Sequence, residues 1–276
     1  MATSQWENFS QHVGNWEGSF ARYDATGKWQ SETPTLVSIE PLQSESGDAS
    51  MRLILRRYQP EVRESVFEYS SLENSVLFFD NGAFSQGSVQ WGPYSQFGAE
   101  FGFISGKRRL RVVELFNRDS QPEQFTLIRE RLSNSDATES PPLTVDDLIG
   151  KWRGAAVTYF PNSQQPPQTY ISELQVRKTG DREISQELNF RDRKIVSKGK
   201  FHHTTIDFSE GTPAVHVLLL PGGASATFPL QIEARQPFFL EAGWLLSPTQ
   251  RQRLIRRYNQ QGEWESLTLV AEEKQE

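Results

Sequence analysis

The chain has no cysteine, which removes disulfides, cysteine metal sites and thiol nucleophiles. No window approaches the roughly 20 apolar residues that a membrane helix needs. Residues 1–14 carry neither the basic stretch nor the apolar run of a secretory signal. These absences predict a cytoplasmic protein without membrane insertion, and they make the sequon Asn8-Phe9-Ser10 a chance match. A net charge of −6 argues against general nucleic-acid binding. Histidine is scarce and scattered: His12 and His216 stand alone, and the adjacent His202 and His203 face opposite ways on a strand. No Gly-x-Ser-x-Gly elbow, His-x-Glu pattern or phosphate-binding loop occurs. Gly82 and Gly223 follow apolar runs, as hairpin turns do. The sequence therefore assigns no catalytic residue, no metal and no cofactor.

What is present is apolar and aromatic: 36% hydrophobic residues, with seven Trp and eighteen Phe, enough for a packed core. Above all, the chain reads as two copies. Gly14-Asn15-Trp16-Glu17-Gly18 returns as Gly150-Lys151-Trp152-Arg153-Gly154 at an offset of 136, and residues 125–130 return as 267–272 at 142. Between them, Glu100-Phe101-Gly102-Phe103 matches Glu241-Ala242-Gly243-Trp244 at 141. So small a drift means the same succession of elements with minor loop changes. Such a period is far longer than the ~20–50 residues of a solenoid repeat, so it marks duplicated domains. The polar stretch ending in Pro141-Pro142 reads as a linker. Domain one is then 1–132, the linker 133–142 and domain two 143–276.

Helical signal is confined to the front of each copy. Ser4 is placed to cap a helix over Gln5 to His12, with Trp6, Phe9 and Val13 on one face. Thr144 is placed to cap residues 145–149, and Gly14 and Gly150 stop the two helices. Elsewhere short Val/Ile/Phe/Tyr/Leu runs alternate with polar residues between Gly, Pro, Asn and Asp clusters. Six to eight strands per copy and short loops predict an all-β protein. Its form is two tandem antiparallel up-and-down barrels, each preceded by a short helix.

A Gly-x-Trp opening the first strand after a short helix resembles the signature of the lipocalin and calycin superfamily. The doubled pattern is similar to an uncharacterised lipocalin-like family of cyanobacteria and plastids, distantly related to phycobiliprotein lyases. The resemblance implies lipocalin-like barrels in which Trp16 and Trp152 close the floor beneath a cation from near the last strand. Arg129 or Arg131 would serve Trp16. The matching positions for Trp152 are Ala271 and Glu273, so Lys274 would have to substitute.

The late strand offers the best candidate site. One face carries Val112, Glu114 and Phe116 in the first copy and Leu254, Arg256 and Tyr258 in the second. A charge flanked by an aliphatic and an aromatic side chain suits a ligand-orienting position in an apolar cavity. Glu114, Phe116, Arg256 and Tyr258 are therefore candidate ligand-binding residues, with Arg256 suited to a ligand carboxylate. The opposing reading makes this face the solvated one. Glu100 and Glu241 recur beside a Gly and an aromatic residue, and Trp244 belongs to a ring-rich stretch; these complete the set. The basic runs Lys107-Arg108-Arg109, with Arg111, and Arg251, Arg253, Arg256, Arg257 read as solvated strand faces, or as contacts for an acidic partner or lipid headgroup.

The expected function is non-enzymatic binding of a hydrophobic or amphipathic small molecule, a tetrapyrrole or a lipid, inside a barrel. Two alternatives stand beside it. One is a bilin lyase-like enzyme with a base drawn from Glu100, Glu241 or Glu114. The other is a protein-interaction or assembly factor whose barrels are filled.

Overall fold

A computed structural model describes residues 4–42, 50–161, 165–211 and 213–276. Helix α1 (Gln5–Ser10) leads into β1 (Gly14–Asp24), β2 (Trp29–Leu42), β3 (Ser50–Arg57), β4 (Arg63–Tyr69) and β5 (Val76–Phe78). The first half continues through β6 (Phe84–Gly87), β7 (Phe97–Ser105), β8 (Arg108–Phe116) and β9 (Pro122–Leu132). Helix α2 (Val145–Leu148) opens the second half: β10 (Gly150–Tyr159), β11 (Gln168–Gly180), β12 (Glu183–Phe190), β13 (Arg193–His202) and β14 (Thr205–Phe208). There follow β15 (Val215–Leu219), β16 (Ala224–Pro229), β17 (Phe238–Ser247), β18 (Gln250–Tyr258) and β19 (Trp264–Gln275).

Both helices start as expected, each with a full capping box, Ser4 with Glu7 and Thr144 with Asp147. The first is shorter than its pattern, ending at Ser10, and Val13 is exposed. Gly14 and Gly150 follow at φ +139° and +132°, a backbone that a side chain would strain. At Gly18 and Gly154 a Cβ would fall 1.9 and 2.1 Å from the carbonyl oxygens of Arg129 and Ala271. The first strand of each half thus lies hard against the last.

The fold is all-β, with every sheet pairing antiparallel. The second half closes into a ten-stranded barrel, β10 to β19 in order. The first half is the same meander left open, a curled nine-stranded sheet ordered β4-β3-β2-β1-β9-β8-β7-β6-β5. Strand pairing locates the difference. Following partners from Gly14 through Ile39 and Leu53 leads to Phe67; following them from Gly150 through Val176 and Gln186 leads to Ser197. On the other side Phe78 corresponds to Leu219 through their partners Phe84 and Ser225. Phe67 and Phe78 are eleven positions apart, and Ser197 and Leu219 twenty-two. The additional eleven contain β14, which pairs with β13 and β15 and closes the barrel.

Three cores result. Phe9, Trp16, Val37, Ile39, Met51 and Phe78 fill the hollow of the open sheet. Trp152, Leu174, Ile184, Ile206, Phe208 and Leu219 lie inside the barrel, with Val145 and Leu148 of α2 beneath. The third and largest belongs to neither hollow. It joins Phe97, Phe101, Phe103, Val112, Phe116 and Phe125 of the first half to Phe228, Leu240, Trp244, Leu254, Tyr258 and Leu267 of the second. The outer faces of β7–β9 and β16–β19 therefore pack against each other, and the halves share one core.

Candidate functional site

Side chains alternate along β8 and β18, and over residues 109–114 and 251–256 both faces are buried or nearly so. The inward face of β8 carries Arg109 and Arg111. Arg109 grips Glu130 of β9 through Nε (2.7 Å) and Nη2 (2.9 Å). Arg111 reaches the same carboxylate at 3.3 and 3.2 Å and Glu100 of β7 at 2.8 Å. Gln86 donates to the other oxygen of Glu100 at 2.9 Å. The second half repeats the cluster. Arg251 pairs with Glu272 (Nε at 2.6 Å), and Arg253 bridges Glu272 at 3.1 Å and Glu241 at 3.2 Å.

Burial opposes ionisation of Glu130, but Arg109 and Arg111 outweigh it and hold its carboxyl down to about 2. Glu272 is lowered by the same balance. His12, deep beneath Arg109, is pushed down to about 3 by burial and by that neighbouring cation; its Nε2 lies 2.7 Å from the Gly82 carbonyl. Its counterpart at the repeat offset is Leu148, so the second half has no such group.

Trp16 and Trp152 are buried in the hollows of the two halves. The Trp16 and Trp152 indole N–H groups donate to the carbonyls of His12 and Leu148, each at 2.9 Å. The cation above Trp16 is Arg109, 4.8 Å from the ring centroid, and not Arg129 or Arg131. The reason is strand parity. Trp16 pairs with Leu132, so Leu132, Glu130 and Ile128 share its inward face, while Arg129 and Arg131 turn outward to Glu32, Glu139 and Glu17. Over Trp152 stand Arg251 at 4.7 Å and Lys274 at 5.0 Å. Arg251 is the equivalent of Arg109, and Lys274 is a second cation that Trp16 has no match for among its contacts.

Arg109, Arg111, Arg251 and Arg253, expected on a solvated face, are interior residues: Arg109 is 3% exposed and Arg251 7%. Arg108 also departs from that expectation. It crosses to the second half, lying 5.2 Å from the Trp244 ring centroid and donating to the Leu246 carbonyl at 3.2 Å.

Glu114, Phe116, Arg256 and Tyr258 are all buried, so their face is not the solvated one. Nor does it line a barrel cavity: it is the outer face of each sheet, enclosed between the halves. Arg256 donates to Tyr258 Oη at 2.7 Å, to the carbonyls of Gly87 and Ser88 at 3.2 Å each, and to Ser75 and Ser85 at 3.4 Å. Its guanidinium lies 3.4 Å from the Trp264 ring centroid. Tyr258 donates to Ser88 at 2.8 Å and stacks on Phe238 at 4.8 Å, and Phe97 meets both rings edge-on. Burial pushes the Tyr258 hydroxyl up to about 12.

Glu114 has no such partners. Among the described residues neither of its carboxylate oxygens has a hydrogen bond. Burial, with the charge of Glu241 adding to it, raises its carboxyl well above the usual range. The remaining candidates, Glu100, Glu241 and Trp244, divide between the two environments: the glutamates join the inward Arg clusters, and Trp244 joins the shared core beside Phe103.

A separate cleft of about 530 Å³ lies where residues 136–140 cross β8 and β9, lined by Arg108, Arg109, Arg129, Glu130, Glu139 and Trp244 among others. Sequence reasoning missed the Arg109–Glu130 and Arg251–Glu272 clusters. The signal was available: Glu100, Arg109, Arg111 and Glu130 recur as Glu241, Arg251, Arg253 and Glu272 at offsets of 141 and 142.

Comparison with known proteins places this architecture. A crystal structure of a Nostoc punctiforme protein of the DUF3598 family, of unknown function, is 42% identical. The match covers 99% of this chain and 100% of that one, with a TM-score of 0.93. The chain belongs to the DUF3598 family. Residues 2–135 match the model of the DUF3598 N-terminal domain, described as a domain of unknown function. Residues 139–275 of this DUF3598 chain match the C-terminal domain of Biogenesis factor required for ATP synthase 1. An S-type phycobiliprotein lyase of Guillardia theta aligns over 99% of this chain and 94% of its own, at 9% identity and a TM-score of 0.21. So low a score carries no argument about fold or function. No curated protein matches the chain. Among the described residues no helix is long and apolar enough to cross a membrane.

Proposed function

We propose that this chain is a non-catalytic assembly factor, a two-lobed β scaffold that holds a polypeptide partner while a larger complex is built. The observation that carries this reading is where the ligand-like side chains are spent. Phe116, Arg256 and Tyr258 bind the two lobes to each other, and the hydrogen bonds of Arg256 go to the chain's own backbone. The match of residues 139–275 to a family named as a biogenesis factor for ATP synthase supports the same class. ATP synthase is accordingly the first complex to test. Cells lacking the protein should lose most assembled enzyme on native gels while free subunits accumulate; unchanged assembly rejects the reading.

A second reading, carriage of a tetrapyrrole or lipid-like ligand in a lipocalin-like barrel, is favoured by one observation. The inward pairs Arg111–Glu100 and Arg253–Glu241 keep 11–15% side-chain exposure, so polar groups inside both hollows remain reachable. Native mass spectrometry of the purified chain tests it: a stoichiometric pigment or lipid would replace the first reading. Bilin attachment with Glu100 or Glu241 as base would require breaking these ion pairs.

A further inference from the structure

The two hollows diverge in charge at their mouths. On the inward face of the first half, the row of strand partners that starts at Gly18 runs through Thr35 and Arg57 to Arg63. The matching row from Gly154 runs through Ser172 and Phe190 to Arg193. One position beyond, Phe20 stands opposite Thr33 in the first half, where Ala156 stands opposite Tyr170 in the second. One mouth therefore sets an arginine over Phe20 where the other packs two rings, Tyr170 and Phe190, 6.0 Å apart.

Arg57 is the cation out of place. It shares the inward face with Met51, Leu53 and Leu55, is half-buried, and holds its guanidinium 5.6 Å from the Phe20 ring centroid. Arg111 approaches the same ring, also at 5.6 Å. Deeper in the hollow the charges balance, Arg109 and Arg111 against Glu130 and Glu100. Arg57 has neither an ion pair nor a side-chain hydrogen bond among the described residues. The residue directly across from it on β4 is a second arginine, Arg63, exposed and likewise without an ion pair. Like charges set opposite each other destabilise a strand pair, and a cation drawn into an interior is ordinarily paired. Beside Arg57 on β2, Thr35 is 3% exposed, and its hydroxyl has no hydrogen-bond partner among the described residues. Arg22, two positions past Phe20 on the same face, is a third cation without an ion pair.

We infer that the mouth of the first hollow is a phosphate-binding site, with Arg57 at its centre, Arg63 and Arg22 at its rim and Phe20 beneath. Three surplus arginines suit the nearly double charge of a phosphomonoester better than the single charge of a carboxylate. The guanidinium fork also matches phosphate oxygens in geometry. The second half keeps the rim as Arg193 but has Phe190 at the centre, so its hollow should bind no such group. The inference goes beyond both readings of function, because it assigns a site to one hollow alone and holds whether or not the chain serves assembly.

Calorimetric titration of the full chain with inorganic phosphate and with dodecyl phosphate tests it. Saturable binding that raises the melting temperature is expected. Arg57→Phe installs the second half's own residue. It should weaken binding about tenfold or more and leave the unliganded chain at least as stable, since an uncompensated cation is removed. Arg63→Gln, at an exposed residue, should weaken binding by a smaller factor. Arg56→Gln removes the same charge from the outward face, where Arg56 meets Glu64, and should change affinity less than about twofold. Failure of both compounds to bind overturns the proposal. So does equal weakening by Arg57→Phe and Arg56→Gln, or dodecanoate bound as tightly as dodecyl phosphate. Dodecyl phosphate bound about tenfold or more tightly than inorganic phosphate supports the site and makes its ligand an amphiphile such as a lipid headgroup. Equal affinity for the two supports the site and makes its ligand a small polar phosphate.

Discussion

The two halves of this chain run the same meander to different ends: one closes on itself and the other stays open. The cause is eleven residues between the fourth strand and the strand that follows. The opposite side of each hollow keeps the Gly backbone, the buried Trp and the Arg–Glu cluster in both copies. Closure is thus a local property set by one short hairpin, while the buried Trp and the shared core are common to both architectures.

The inward clusters offer the largest test of that equivalence. Glu130→Gln leaves Arg109 buried without a counter-charge and Arg111 with Glu100 alone, and Glu272→Gln leaves Arg251 without one and Arg253 with Glu241 alone. Each should cost about 3–5 kcal/mol in urea unfolding. A large loss in one half with none in the other would break the comparison. Glu130 also sets an acid limb. Its folded value, about 2, lies below the ordinary carboxylate value of 4.5, so its contribution is present above that value and lost as pH falls toward 2. The Gln variant should lack that part of the acid response.

The siblings at the lobe interface come next. Arg256→Met removes the cation that meets the backbone of residues 87–88 and should cost about 1.5–3 kcal/mol, because these partly buried carbonyls lose a charged donor. Loosening between the lobes should appear as faster exchange of the Trp91 and Trp264 amides, which bond across the same seam to Gly262 and Val89.

A pH difference between the halves follows. His12 is held neutral in the fold, down to about 3, whereas an unfolded histidine protonates below about 6.5. The unfolded state therefore binds more protons, and stability is lost as the pH drops through that window, by about 2–3 kcal/mol at pH 4.5. His12→Leu, which installs the second half's own residue, should flatten this limb in denaturation curves between pH 7 and 4.5. At pH 4.5 the smallest change is expected of Glu114→Gln. A buried carboxyl with a raised value costs stability as pH climbs above the ordinary range. The isosteric amide should differ from wild type by less than about 1 kcal/mol at pH 4.5 and be the more stable of the two at pH 8.

Much of this was legible beforehand from particular residues. The caps at Ser4 and Thr144, the Gly-x-Trp pair and the turn glycines each act through neighbours close in sequence, so local chemistry announced them. The faces of β8 and β18 were not legible. Period-two alternation tells inside from outside only when one side is wet, and here Arg109 and Glu114 are both buried, on opposite sides of one strand. An arginine pattern that reads as solvent-facing was in fact paying for its burial with Glu130 and Glu272, which arrive from the next strand.

By itself, then, the sequence determined the all-β class, the duplication and the two capped leading helices, because these rest on local pattern and on comparison of the chain with itself. Tertiary structure alone decided that one copy closes and the other stays open, and that the arginines lie inside. It also decided that Glu114, Phe116, Arg256 and Tyr258 lie between the lobes. Each of these depends on which distant strand covers a given face, and that is settled by packing.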